Sequence, residues 1–198
     1  MDNKRVKMIK GLHHNAYRCR DSEETRKFYE DFLGLKLADA FEIQATQTNR
    51  ATSVLHSFYE MGDGSFLAFF EAPDQPFEFK KQHDFDLHIA LEVEPSILKE
   101  MFSKGKESNI DTRGISDHGF IHSIYFRDPN GYVIELTAKT ETPDENHLQP
   151  KNAHAVLKEW QANKSKPTSN RVPKLSKNDS GPRCVPIGAP VDPWTSNC

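Results

Sequence analysis

Two stretches of this chain repeat the same order of chemical signals, and that duplication constrains the fold more than any other feature. The first stretch opens on His14 in the short strand-like run His14–Cys19. It continues through a helical pattern closed by Gly34 and reaches Glu71 at the end of an apolar run. The second opens on His88 in the alternating run His88–Val93. It continues through a helix begun by Pro95-Ser96 and stopped by Gly105, and reaches Glu135. The histidine and glutamate are 57 positions apart in the first half and 47 in the second. Either spacing alone carries little weight; both together, with matching helices between, specify a paired α+β architecture.

The local signals fill in each half. Asp21 with Glu24 three residues on forms a capping box, and Phe28, Tyr29, Phe32 and Leu33 recur on one helical face. Strand-like runs follow over Leu35–Ile43, Ala51–Tyr59 and Phe66–Phe70, the last set off by the turn Met61-Gly62-Asp63-Gly64. Pro76 to Asp86 is a polar and aromatic connector. In the second half Ile97, Leu98, Met101 and Phe102 repeat the spacing of the first helix. Runs around Ile110–Arg113 and His118–Phe126 precede the turn Asp128-Pro129-Asn130-Gly131 and the strand Tyr132–Thr137. The reading is a single domain over 1–140, with modules at about 8–75 and 85–138. Residues 141–198 hold a linker, a weak helical pattern over Lys151–Asn163, and a tail rich in Pro, Ser, Asn and Lys that is either disordered or laid over a surface.

Charge and cysteine content exclude several classes. Lys and Arg total 26 against 29 Asp and Glu, and the one basic stretch, Lys164 to Lys177, is broken by Pro, Ser and Asn. That is no nucleic-acid footprint. Cys19, Cys184 and Cys198 are odd in number and widely spaced, which argues against a disulfide scaffold. The first residues do not read as a secretory leader and no apolar run reaches membrane-spanning length, so a chain with neither is expected. The expectation is a cytoplasmic protein with a small-molecule substrate, no nucleic acid and no membrane.

Strand alternation then sorts the candidates by face. His88 shares a face with Ala90, opposite Ile89, Leu91 and Val93. Glu135 lies with Val133 and Thr137, opposite Ile134 and Leu136. His14 lies with Ala16, and Glu71 with Leu67 and Phe69. This permits the four to converge on one inner cavity. Two imidazoles with one or two carboxylates suit a borderline divalent cation: Fe(II), Mn, Ni, Co or Zn. Phe69, Phe70 and Phe120 are candidate pocket walls.

Gly11–Leu37 and Leu87–Glu135 resemble the vicinal oxygen chelate superfamily, which includes glyoxalase I, extradiol dioxygenases and the fosfomycin and bleomycin resistance proteins. The resemblance is carried by His14-x6-Asp21, Phe28-Tyr29 and Leu33-Gly34 in the first half. In the second it is carried by His88-Ile-Ala-x-Glu-Val and Asp128-Pro-Asn-Gly-x3-Glu135, and it covers roughly residues 8–138. It implies two βαβββ modules forming a curved mixed sheet around one metal held by His14, His88 and Glu135, with a homodimer as a family-based expectation. The stretch from His118 through Tyr125 to Asp128-Pro129-Asn130-Gly131 and Glu135 is similar to the extradiol dioxygenases, with Ser116 as one departure. On that likeness the chain is an Fe(II) dioxygenase of a catechol-like or small aromatic substrate, His118 is the acid/base, and Tyr125 hydrogen-bonds the bound catecholate. A glyoxalase I-type lyase or isomerase with Ni or Zn, using Glu71 as fourth ligand or substrate contact, is the alternative. A metal-free drug-binding module is a third reading. A thiol transferase acting on an antibiotic would need a cationic pocket for a phosphonate, to which only Arg18, Arg113 and Arg127 could contribute.

Overall fold

The computed structural model describes residues 9–45, 48–81, 83, 85–140 and 150–164. The linker over 141–149, the tail beyond 164, and Cys184 and Cys198 lie outside the described residues.

The first module runs β1 (His14–Cys19), α1 (Ser22–Arg26), β2 (Lys36–Ala45), β3 (Ala51–Glu60) and β4 (Phe66–Glu71). Its strands form one mixed sheet in the order β1-β4-β3-β2, with β1 parallel to β4 and the other pairs antiparallel. Asp21 caps α1 as the capping box predicts, accepting from the Glu24 amide at 2.8 Å. The helix then widens into a π-helix over Lys27–Phe32, where the Leu33 amide donates to Phe28 O at 2.9 Å. Phe28, Tyr29 and Phe32 are all buried there, and Gly34 leaves the helix at a φ of 85°. Tyr29 lies 4.6 Å from Phe69 and 5.6 Å from Tyr59, ring centre to ring centre, so this core is largely aromatic. Each such ring contributes on the order of 2 kcal/mol by leaving water.

The second module runs β5 (His88–Glu92), α2 (Pro95–Glu107), β6 (Thr112–Asp117), β7 (Ile121–Arg127) and β8 (Val133–Lys139). Its sheet order, β5-β8-β7-β6, repeats that of the first. Leu98 and Met101 of α2, with Ile124, Phe126, Ile134 and Leu136 of the strands, are buried. A further helix, α3, spans Pro150–Asn163. Among the described residues no helix is long and apolar enough to cross a membrane. The α+β class and the paired sheets are therefore as the duplication predicts.

Two local expectations are corrected. Gly105 lies inside α2 and does not end it. A Cβ there would run into the side chains of Thr112 and Phe126, so glycine is needed for close approach of helix and sheet. His118 is not on a strand; it sits in the turn between β6 and β7, next to Gly119 at a φ of 82°.

By contact density the chain divides into two compact units. One joins Met1–Ile89 with Arg127–Val133, and the other joins Ala90–Phe126 with Ile134–Cys198. The Asp128–Gly131 turn thus belongs with the first unit. Within it, Asn130 Oδ1 accepts from the Arg20 amide at 2.8 Å and the Tyr132 hydroxyl donates to Arg18 O at 3.0 Å. Gly131, at a φ of 94°, leaves no room for a Cβ against the Lys80 backbone.

Candidate metal centre

His14 starts β1 on an exposed position and pairs in register with Phe66. Its Nδ1 is hydrogen-bonded to His13 Nδ1 at 2.8 Å, so Nε2 is the nitrogen outside that bond. His88 starts β5, also exposed, and its neighbour Ile89 turns inward at 8% exposure. Glu135 lies on β8, the strand next to β5, and is 5% exposed.

A hydrogen-bonded chain runs through the second module. His118 Nε2 lies 3.0 Å from the Tyr125 hydroxyl, and that hydroxyl donates to Glu135 Oε1 at 3.4 Å. Arg113 lies over the Tyr125 ring, its guanidinium carbon 5.7 Å from the ring centre. The strands explain the convergence: Tyr125 on β7 and Glu135 on β8 share the face opposite Ile124 and Ile134, and the β6–β7 turn folds His118 over that face. His122 alternates to the other side of β7 and pairs with exposed Asp117 at 3.4 Å.

Glu71 takes a different place from the one its spacing suggested. Cys19 pairs with Glu71 and His14 with Phe66 across β1 and β4. His14 and Glu71 are therefore on opposite faces of one sheet. Glu71 Oε2 instead accepts from the Ser22 amide at 2.7 Å, at the start of α1. The turns locate the true counterpart of Glu135. Gly64 and Gly131, both at positive φ, each stand two residues before the next strand. Glu135 is the third residue of β8, and the third residue of β4 is Ala68, in register with Ala16 on the His14 face. The apparent His…Glu repeat came from a helix-capping glutamate three residues further on.

Among the suggested pocket walls, Phe69 is fully buried under the helix, whereas Phe70 lies on the His14 face. That face carries a residue the sequence reading passed over. His56 on β3 is 6% exposed, and its ring centre is 6.3 Å from that of His14. Nothing in the run Val54-Leu55-His56-Ser57-Phe58 marks this histidine; only the register of β3 brings it there. A cavity of about 510 Å³ opens beside Arg18 and Cys19, against the loop from Ala72 to Phe77. Burial pushes the Cys19 thiol up to about 11. Arg18 is held by Ala72 O, Gln75 O and Gln75 Oε1, and Arg127 by Gly131 O.

Among the described residues no three His, Cys, Asp or Glu side chains are gathered closely enough to hold a metal ion. The donor types nonetheless fit one: two exposed strand imidazoles and a nearly buried carboxylate, which a cation would compensate.

A sequence profile described as the Glyoxalase/Bleomycin resistance protein/Dioxygenase superfamily matches residues 11–136. The metallothiol transferase FosB of Staphylococcus saprophyticus is 26% identical over 158 residues, covering 77% of this chain and 93% of that protein. Two solved structures share the fold. One is a glyoxalase/bleomycin resistance protein/dioxygenase domain from Frankia sp., with a TM-score of 0.54 at 17% identity, covering 70% of this chain and 98% of that one. The other is a mutant of the fosfomycin resistance protein FosX from Listeria monocytogenes, solved with Mn(II) and 1S,2S-dihydroxypropylphosphonic acid. Its TM-score is 0.50 at 21% identity, covering 68% of this chain and 96% of that one.

Proposed function

The chain belongs to the glyoxalase/bleomycin resistance protein/dioxygenase superfamily, and from that premise we propose that it is a metal-dependent enzyme acting on a small substrate with two adjacent oxygens. His14, His88 and Glu135 would hold the cation. The observation that carries the reading is the chain from His118 through Tyr125 to Glu135, at 3.0 and 3.4 Å. It sets a proton-handling pair beside a candidate ligand.

When bound, the cation would act as a Lewis acid that gathers the substrate oxygens and makes them easier to deprotonate. The chain's own residues do the rest. While the Tyr125 hydroxyl donates to Glu135, His118 Nε2 carries the hydrogen of their shared bond; a substrate oxygen that takes the hydroxyl's hydrogen in place of Glu135 is bound by Tyr125, with His118 behind it as the proton donor. Arg113, over the Tyr125 ring, favours negative charge there. Fe(II) with a catechol-like substrate is one reaction that uses such a pair; Mn, Ni, Co and Zn suit the same donors. A second reading is addition of a thiol to a small anionic electrophile. It is favoured by the likeness to FosB, which spans 93% of that protein. The glyoxalase-type reading with four ligands loses support, because Glu71 faces away from His14. A homodimer, the expectation that the family resemblance carries, would supply the donors from two copies.

The test is metal content and turnover together. Wild type should bind metal stoichiometrically and His88→Ala should bind none; a His88→Ala protein that keeps its metal removes His88 from the site. His118→Ala should keep the metal and lose activity by about a hundredfold or more. Oxygen uptake on catechols, isomerisation of a hemithioacetal and thiol addition to an epoxyphosphonate separate the reaction classes. A wild type that takes up no metal yet binds such ligands leaves the drug-binding module standing instead.

A further inference from the structure

The face of the first sheet that carries His14 is set out in rows by the strand register. His14 and Phe66 stand beside Glu60, Ala16 and Ala68 beside Phe58, and Arg18 and Phe70 beside His56. His56 is the one imidazole on this face that is buried and fixed in orientation. Its ring stacks on Phe70, with centroids 3.7 Å apart and planes 15° from parallel. Phe58 packs against it at 4.2 Å and Phe41 at 5.5 Å. Its Nδ1 lies 3.0 Å from Phe69 O. A carbonyl can only accept, so Nδ1 carries the hydrogen and donates. In the neutral ring Nε2 then holds a lone pair. Three aromatic neighbours and a backbone bond thus hold one acceptor nitrogen in place on the face His14 shares. A phenylalanine would fill the same space but could neither donate to Phe69 O nor present an acceptor nitrogen.

We infer that His56 is a substrate-contacting residue. Its Nε2 accepts a hydrogen bond from a substrate hydroxyl seated beside the metal that His14 helps to hold. The substrate class follows: a ligand that keeps a hydroxyl hydrogen while its two adjacent oxygens are engaged, as an α-hydroxy acid does and a dicarboxylate does not. Ala68 supports this placement. At the position where the second module has Glu135, the first has a methyl group, so nothing from β4 competes for the ligand there. The inference rests on the proposed metal centre, and its test separates the two.

Protein loaded with Co(II) is titrated with glycolate and with oxalate, and binding is followed by the visible spectrum of the metal. Both probes present two oxygens on adjacent carbons; only glycolate keeps a hydroxyl hydrogen. Two variants isolate the nitrogens. His56→Asn keeps a donor for Phe69 O and removes the Nε2 acceptor, whereas His56→Gln keeps an acceptor near the Nε2 position. The expected result is about tenfold weaker glycolate binding in His56→Asn, the size of one hydrogen bond. Oxalate binding and Co(II) stoichiometry should be unchanged, with partial recovery of glycolate binding in His56→Gln. Equal weakening for both probes, no weakening for either, or loss of Co(II) from His56→Asn overturns the inference and leaves the metal centre standing. A wild type that takes up no Co(II) overturns the metal centre, and the inference with it.

Discussion

Asp128 is 2% exposed and accepts four hydrogen bonds: from the Tyr29 hydroxyl at 2.9 Å, Asn130 Nδ2 at 3.1 Å, and the amides of Asn130 and Tyr132 at 2.9 and 2.7 Å. Burial raises its carboxyl above the ordinary value of 3.8, although all four donors pull the other way. Burial likewise holds the Tyr29 hydroxyl well above its usual range, with the Asp128 charge adding to the effect. A carboxyl raised on folding favours the protonated native state. Its contribution to stability is fully present below 3.8 and is lost as pH rises through the folded value. Urea unfolding of wild type and Asp128→Asn should therefore diverge on acidification from neutrality to about pH 4, in favour of wild type. A difference moving the other way would mean that the donors outweigh burial. Tyr29→Phe removes one donor to this carboxylate and should cost about 1–3 kcal/mol at neutral pH, read by the same unfolding curves.

At the scale of elements, the start of α1 shows why a motif count misled. Two carboxylates meet its free amides: Asp21 at Glu24 N and Glu71 at Ser22 N. Sequence shows Asp21 because the capping box is local. It cannot show Glu71, whose partner is 49 residues away and depends on the parallel pairing of β1 with β4. Glu71→Gln should leave metal content unchanged and lower the melting temperature slightly, by the equivalent of about 1 kcal/mol. Loss of stoichiometric metal in that variant would return Glu71 to the ligand set. The same distinction applies to α2. Gly105 reads as a stop signal, yet it lies within the helix at a point where any side chain would run into Thr112 and Phe126.

At the scale of the whole molecule, the donors of the proposed centre are split between modules, His14 on the first and His88 with Glu135 on the second. If a homodimer completes the site, inactive His14→Ala and His88→Ala proteins should complement each other. After subunit exchange, half the dimers are mixed and each mixed dimer carries one intact site. Metal content and activity should then return to about a quarter of wild type. No recovery on mixing would place all three donors in one chain. The sequence by itself determined the paired modules, the order of strands and helices, and the faces of His14, His88 and Glu135. Those follow from periodicities of two and 3.6 residues and from turn chemistry, which act over a few residues. Only the tertiary structure decided that Glu71 caps a helix, that Ala68 stands opposite Glu135 in the duplication, and that His56 joins the His14 face. It also decided that the Asp128–Gly131 turn is built into the first unit. Each of these depends on register and on hydrogen bonds between positions far apart in the chain, and local pattern carries no information about either.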